Sequence, residues 1–200
     1  MRHDANVRGH FLTVAGIALT LTGRAEAADQ SPICADRPGR SSQPCTVPAG
    51  HFQIESSIAD WTLDRNEGER DTALSLGQMD FKYGIDDRTH VDIGIAPWNR
   101  ATSRAGGVHD RESGFGDVLA MVKHNISPAT SALQVAVSPF VKIPAAKRPL
   151  GNRRWEGGFI LPIVYTIGKS PFTINTTPEI DWAADGDGDG HHVAMVQVAN

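Results

Sequence analysis

The chain has 200 residues, of which 19 are Lys or Arg and 23 are Asp or Glu, giving a formal net charge of −4. This mildly acidic balance lacks the basic stripe of nucleic-acid-binding proteins, so we expect no nucleic-acid partner. After the N-terminal segment no run of about 18 apolar residues occurs, which excludes a helical membrane span there. The length suits one domain.

The N-terminus has the three parts of a secretory signal peptide. Arg2 and Arg8 give a basic start, residues 11–21 (FLTVAGIALTL) an apolar core, and residues 25–27 (AEA) the small residues before a cut. The apolar core is too short to span a bilayer as a helix; the alternative is a short buried helix. We therefore predict that residues 1–27 are a signal peptide and that the mature protein is exported.

Residues 28–49 hold both cysteines of the chain, Cys34 and Cys45, in a segment rich in Pro and Gly. Exported proteins meet an oxidising compartment, where two such thiols form a disulfide by default. A zinc site would need further ligands. We predict a periplasmic lead-in closed by a Cys34–Cys45 disulfide, which loop closure stabilises by about 3 kcal/mol.

The region from residue 50 to residue 200 contains eight predicted β-strands whose connectors alternate between long and short. The strands are residues 51–63, 72–85, 88–98, 115–126, 133–143, 159–167, 172–183 and 192–200. The long connectors are residues 64–71, 99–114, 144–156 and 184–191, and the short ones are residues 86–87, 127–131 and 168–171. Tight turns on one side and larger loops on the other are typical of an antiparallel transmembrane β-barrel of the outer-membrane type.

Apolar and polar side chains alternate along several of these strands, as a membrane barrel requires. The first strand changes phase between Ile58 and Trp61, which predicts a β-bulge. The predicted inward positions carry charges that must be paired or hydrated: Asp92, Asp117, Lys123, Lys142, Glu179 and Asp181. These charges form either a structural network that fills a narrow barrel or the wall of a polar conduit, and alternation does not separate the two.

The third long connector contains four basic residues, Lys147, Arg148, Arg153 and Arg154. They could contact the phosphates of lipopolysaccharide or attract anionic solutes to the barrel mouth. A merely solvated loop is the alternative.

The fourth long connector resembles the start of a calcium loop, with Asp185, Asp187 and Asp189 separated by glycines. Val196 stands where a calcium loop needs a bidentate Glu, so we interpret the segment as a solvated acidic turn and predict no metal site. The chain has no nucleophile elbow, phosphate loop or zinc-protease motif. We therefore expect neither an enzyme nor a cofactor.

Short motifs extend through the mature chain: residues 34–38 (CADRP), 45–55 (CTVPAGHFQIE), 82–85 (KYGI), 95–98 (IAPW), 113–117 (SGFGD), 139–144 (PFVKIP), 156–158 (EGG) and 178–181 (PEID). Together they resemble bacterial outer-membrane proteins of the MetA-pathway of phenol degradation family. The resemblance implies an outer-membrane β-barrel that passes small, often aromatic or otherwise apolar, compounds. Members are usually longer, and this chain does not end in the aromatic residue common to such barrels, so we expect a C-terminally truncated sequence.

The sequence thus predicts an all-β outer-membrane barrel that passes small solutes passively. Its expected partners are outer-membrane lipid, lipopolysaccharide and the solute. Two alternatives stay open: a structural or adhesive barrel with a sealed lumen, and a soluble periplasmic β-sandwich that binds a ligand. The sequence does not indicate an oligomeric state.

Overall fold

The computed structural model describes residues 33–36, 41–66, 69–128, 130–185 and 190–199. The predicted signal peptide lies outside these ranges. Within them the chain is all-β and antiparallel, which confirms this part of the predicted fold class. No helix in the described ranges is long and apolar enough to cross a membrane.

Eleven strands form one sheet. They are β1 (Phe52–Asn66), β2 (Glu69–Asp86), β3 (Thr89–Ile95), β4 (Trp98–Ala105), β5 (Val108–Gly114), β6 (Val118–Asn125), β7 (Leu133–Ile143), β8 (Glu156–Ile160), β9 (Ile163–Thr166), β10 (Thr173–Ala184) and β11 (His191–Ala199). The order across the sheet is β11-β10-β8-β7-β6-β3-β2-β4-β5, with β1 paired to β2 and β9 paired to both β10 and β7. Among the described residues β1 and β11 each pair along one edge only.

All eight predicted strands exist, and the three additional strands have simple causes. The predicted strand 159–167 is divided into β8 and β9 around Pro162, which has no N–H to donate to a ladder. The strands β4 and β5 pair as a hairpin across residues 99–114, where the sequence predicts a long connector. The prediction of a connector at residues 99–114 is therefore wrong. The predicted connector 64–71 is also wrong, because β1 continues to Asn66 and β2 begins at Glu69.

The long connector 144–156 and the three short turns lie where the sequence predicts them, with β7 ending at Ile143 and β8 beginning at Glu156. We call the end of the sheet with the short turns the turn end. The opposite end, with the β1–β2 and β4–β5 hairpins and the connector after β7, is the loop end.

The β-bulge predicted in the first strand is wrong, because β1 pairs with β2 in one register throughout. The change in the alternation of apolar residues along β1 has another cause. It lies at the same height in the sheet as irregularities in the neighbouring strands. Gly77 of β2 has a φ of 65°, Pro97 separates β3 from β4, and residues 115–117 separate β5 from β6. Across residues 115–117 the positions that face the connector after β7 change from even to odd numbers. A side chain at Gly114 would meet Leu150 of this connector, and Asp117 accepts a hydrogen bond from the backbone N–H of Ala146 in the same connector.

The sheet buries polar side chains and exposes apolar ones. Lys82, His90, Lys123 and Ser138 are all 0 % exposed. Large apolar side chains are exposed on the opposite face, among them Phe52, Ile54, Tyr83, Ile85, Ile93, Val122, Phe159, Ile174, Ile180 and Trp182. We call the face with the buried polar residues the inner face and the other the outer face. A water-soluble sheet has the reverse distribution.

The N-terminal segment, residues 33–36 and 41–50, packs on the inner face. It contains the predicted Cys34–Cys45 disulfide. Its hydrogen bonds reach β2 through Lys82 and β10 through Thr177. In a flat sheet these two strands would be about 24 Å apart, at roughly 4.8 Å per strand. Because one short segment contacts both, the sheet curves around it.

Candidate functional site

The six charges predicted to point inward lie on the inner face in separate groups. Lys123 belongs to a group at the turn end, and Lys142 to a group nearer the loop end that includes Asp117. Asp92 on β3 pairs directly with Lys82 of β2, and Glu179 and Asp181 on β10 pair with Ile160 and Gly158 of β8. Whether they line a conduit stays a prediction.

The group at the turn end is centred on Asp36 of the N-terminal segment. Its carboxylate oxygen Oδ2 lies 2.7 Å from Nζ of Lys82 and 2.9 Å from Nζ of Lys123. Lys82 also contacts the carboxylate of Glu55. Because the lysines are fully buried, these contacts replace the water that the two ammonium groups would otherwise require.

Burial opposes ionisation of Asp36, but the charges of Lys123 and Lys82, together with hydrogen bonds from Lys82 and the backbone N–H of Gln43, outweigh it. The pKa of the Asp36 carboxyl is therefore held well below its usual range. The segment consequently presents a carboxylate to two buried cations at neutral pH.

Further hydrogen bonds attach the N-terminal segment to the inner face. The backbone N–H of Val47 donates to Nδ1 of His90 at 3.1 Å, and the Asn125 side-chain amide donates to the carbonyl oxygen of Pro44 at 2.9 Å. A Cβ at Gly84 would collide with the backbone carbonyls of Val47 and Pro48, so only glycine permits this approach. The segment thus covers the inner face at the turn end.

The sequence alone does not predict Asp36, Glu55 and Lys82 as members of this group. A signal was present for two of them, because Glu55 and Lys82 each stand between apolar or small residues within a predicted strand. Such charges require buried partners. Nothing in the sequence pattern identifies Asp36 as that partner.

The second group ties the connector between β7 and β8 to the inner face. Nζ of Lys142 contacts the Glu156 carboxylate and lies 3.5 Å from Oδ2 of Asp117. The backbone N–H of Ala146 donates to Asp117, and the Asn152 side chain donates to Glu156 at 2.5 Å. This connector therefore folds against the inner face at the loop end.

The four basic residues of this connector have different surroundings. Arg148 lines a cavity of about 780 Å³ at the loop end, beside hydroxyl and charged side chains of β1, β2, β4 and β5. Lys147 lines a smaller cavity of about 240 Å³ with Leu150. Arg153 has a φ of 61°, and the backbone N–H of Arg154 donates to the side chain of Asn152.

The acidic turn is only partly described. Oδ1 of Asp185 lies 2.6 Å from Nδ1 of His192, whereas Asp187 and Asp189 lie outside the described residues. In the described ranges no group of three or more His, Cys, Asp or Glu side chains is arranged to hold a metal ion.

Comparison with known proteins identifies the family. No curated protein and no solved structure matches the chain. The model of the family described as "Putative MetA-pathway of phenol degradation" matches residues 35–197, which include the N-terminal segment from Ala35 onward and nearly the whole sheet. The match agrees with the resemblance of the short motifs. The chain therefore belongs to this family.

Proposed function

We propose that the protein is an outer-membrane β-barrel that passes small, aromatic or otherwise apolar, solutes passively. The observation that carries the proposal is the outer face, where large side chains such as Phe159 and Ile174 are more than half exposed. Exposing apolar surface to water costs about 25 cal/mol per Å², and soluble proteins rarely leave extended patches of it. Contact with lipid removes this cost.

The polar inner face supports the same proposal, since lipid-spanning barrels alternate apolar outward and polar inward residues. Solute would enter at the loop end, past the cavity beside Arg148, and follow the inner face toward the turn end. The chain would need no catalysis and no energy source for this. Its partners would be lipid at the outer face, lipopolysaccharide near Lys147 and Arg148, and the solute.

One observation favours a second candidate, a barrel whose lumen is sealed. The N-terminal segment covers the inner face at the turn end through Asp36, and the connector at the loop end is tied down through Lys142. Together these contacts would close both ends of a lumen. Such a protein would act through its loops as a structural or adhesive barrel.

Localisation and solute flux test both candidates. The exported protein is extracted from the outer-membrane fraction and run on an SDS gel with and without heating, then reconstituted in liposomes. A heat-dependent shift, with swelling in resorcinol above that of liposomes holding boiled protein, supports the channel. A shift without swelling supports the sealed barrel. Protein that stays soluble in the periplasm and shows no shift contradicts both.

A further inference from the structure

The two hairpins at the loop end carry opposite charges on their two faces. Directly paired residues of neighbouring strands project to the same face, and successive residues of one strand alternate between faces. One row across β1, β2, β4 and β5 is acidic and consists of Asp64, Asp71, Ser103 and Asp110. The adjoining row points the opposite way and is basic; it consists of Arg65, Arg70, Arg104 and His109.

The acidic row lies on the inner face. The connector after β7 marks the inner side, because a side chain at Gly114 of β5 would meet Leu150. Asp110 lies an even number of residues before Gly114 in the same strand and therefore points the same way. The inner cavity beside Arg148 accordingly has Asp71 and Asp110 in its lining. The basic row is thus on the outer face.

The basic row continues the apolar outer face of the same strands. Trp61 of β1 is 57 % exposed and precedes Arg65 by two positions of the same face. Arg100 of β4 packs its guanidinium group over the Trp98 ring at 4.7 Å. At about 3.4 Å per residue and a strand tilt of about 40°, the basic row lies roughly 10 Å beyond Trp61. In a membrane barrel, where aromatic residues border the apolar band, this height corresponds to the polar layer outside the hydrocarbon core.

The charges of the basic row are uncompensated in the part of the chain that the structure describes. Arg65, Arg70, Arg104 and His109 are exposed, and none of them forms an ion pair with another described residue. The neighbouring row of the same face offers no carboxylate, since it consists of Leu63, Thr72, Thr102 and Arg111. Like charges directly opposite each other destabilise a sheet, and an anion bound between them would convert this repulsion into attraction.

A small cavity lies in the middle of this basic surface. Its volume is about 150 Å³, and it is lined by Arg70, Thr72, Thr102 and Arg104. Arg70 pairs directly with Arg104, and Thr72 pairs with Thr102, so two guanidinium groups and two hydroxyl groups border one space. Guanidinium groups bind phosphate oxygens in a bidentate manner, and hydroxyl groups donate to the remaining oxygens. The cavity therefore has the donors of a phosphate site.

We propose that Arg70, Thr72, Thr102 and Arg104 form a binding site for a phosphate group of lipopolysaccharide. A lipid-linked phosphate is the occupant because the cavity opens on the outer face, directly beyond the apolar surface that the acyl chains would cover. The other members of the basic row add positive potential around it. The inference rests on the proposed outer-membrane location and deepens it by naming where lipopolysaccharide is held on the barrel wall, apart from the connector that carries Lys147 and Arg148.

Native mass spectrometry of the full chain in detergent tests the site, because it counts the lipid molecules that stay bound. The probe is lipid A, the phosphorylated anchor of lipopolysaccharide, with dephosphorylated lipid A and inorganic phosphate for comparison. EDTA removes divalent cations that could bridge phosphate to carboxylates. Arg70→Gln combined with Arg104→Gln removes both guanidinium groups. Arg88→Gln combined with Lys169→Gln, at the turn end, removes the same charge and is the matched control.

We expect the wild type to bind lipid A, with a loss of affinity of about tenfold or more in the Arg70/Arg104 variant and a change within about twofold in the control. Dephosphorylated lipid A should bind the wild type about tenfold or more weakly. Equal losses in the two double variants, or equal affinity for dephosphorylated lipid A, would overturn the site. Inorganic phosphate that displaces lipid A at the same concentration would assign a free phosphate and overturn the lipid as occupant.

Arg104→Glu separates binding from folding. A glutamate opposite Arg70 replaces a pair of like charges by a pair of opposite charges, so urea unfolding followed by circular dichroism should show no loss of stability. Lipid A binding should nevertheless fall by about tenfold or more, because the new carboxylate repels phosphate and occupies Arg70. Undiminished binding in Arg104→Glu would contradict the site, as would a loss of binding that appears only together with a loss of strand signal.

The heat-dependent gel shift and resorcinol flux, measured on the same preparations, separate this inference from the proposed function. A protein that shifts and passes resorcinol, but binds lipid A independently of Arg70 and Arg104, refutes the site and leaves passage standing. Lipid A binding that responds to these variants, in a protein that shifts without flux, refutes passage and leaves the site standing.

Discussion

Replacing Asp36 by Asn tests whether charge holds the N-terminal segment on the sheet. The amide keeps the shape of the carboxyl group but removes the charge that faces Lys123 at 2.9 Å. Among the described residues Lys123 then keeps only neutral partners, Oγ of Ser42 and the carbonyl oxygen of Gln43, whereas Lys82 retains Glu55. Removing one partner of a buried pair costs about 3–5 kcal/mol.

The cost should appear first as release of the segment. We expect the population with an accessible segment to rise on the order of a hundredfold or more, since each 1.4 kcal/mol is a factor of ten. Limited proteolysis between Cys34 and Pro48 under reducing conditions measures this release, and urea unfolding followed by circular dichroism measures the stability of the sheet. Asp110→Asn at the exposed loop end is the control.

A compensating variant makes the test sharper. Adding Lys123→Met to Asp36→Asn removes the unpaired charge and should restore most of the lost free energy, because an apolar side chain of similar size tolerates burial. If Asp36→Asn costs less than about 0.5 kcal/mol, the range of an ordinary surface change, charge does not hold the segment. A double variant less stable than Asp36→Asn would refute the same reasoning.

Three further predictions follow from the same region. The pKa of Asp36 is lower in the folded chain than its value of about 3.9 when unfolded. The contribution of the Asp36 carboxylate to stability is therefore present above pH 4 and is lost as the pH falls through the folded pKa. The difference in unfolding free energy between wild type and Asp36→Asn should be flat from pH 7 to about pH 4 and should shrink below it. Gly84→Ala should displace the N-terminal segment, because the added Cβ collides with the backbone of Val47 and Pro48. Proteolysis of the segment should accelerate while the strand signal in circular dichroism is kept. Gly114→Ala, near Leu150, is the matched control, and equal proteolysis rates in the two variants would contradict the packing of the segment on Gly84. Cys45→Ser should loosen the segment by up to about 3 kcal/mol, the loop-closure term for a ring of this size, and hydrogen exchange at the buried Val47 amide reports it; unchanged protection would show that the ion pairs suffice.

The strands in the apolar part of the sheet could be predicted because their signal is local. Alternation with period two and turn residues at both ends identify segments such as β7 and β10 without knowledge of their partners. The pairing of Cys34 with Cys45 was equally accessible, since the described chain holds only these two cysteines.

The hairpins at the loop end could not be predicted in the same way. Residues 64–71 and 99–114 are rich in charged and small side chains and show no sustained alternation. In the structure, the pairing of β1 with β2 continues in one register from the apolar part of the sheet to the loop end, where β2 also pairs with β4. Strand β2 alone has 18 residues, whereas about 9–11 suffice to cross a bilayer. A segment that is polar on both faces carries little strand signal of its own.

For the candidate site, alternation predicts which face a residue lies on, but it does not predict the residue's partners on other strands. Lys123 and Asp181 were placed on the inner face by alternation alone, yet the partner of Lys123 lies 87 residues away in Asp36. The same holds for Phe140, whose position opposite Met121 and Gly158 depends on the registers of β6, β7 and β8. Register between strands is set by the folded sheet, so side-chain neighbours across strands are beyond a single-sequence pattern.

The position of the N-terminal segment has a consequence for the order in which the chain assembles. The segment is made before every strand, yet its contact with Thr177 spans 135 residues, whereas its disulfide spans 11. Contacts of long sequence separation form late, because loop-closure entropy opposes them. The disulfide ring can therefore close early and wait for β10 to arrive. Because Lys82 and Lys123 precede β10 in the chain, the ion pairs of Asp36 can form before Thr177 is reached, and a chain that stalls before β10 keeps these anchors while it lacks the contact with β10.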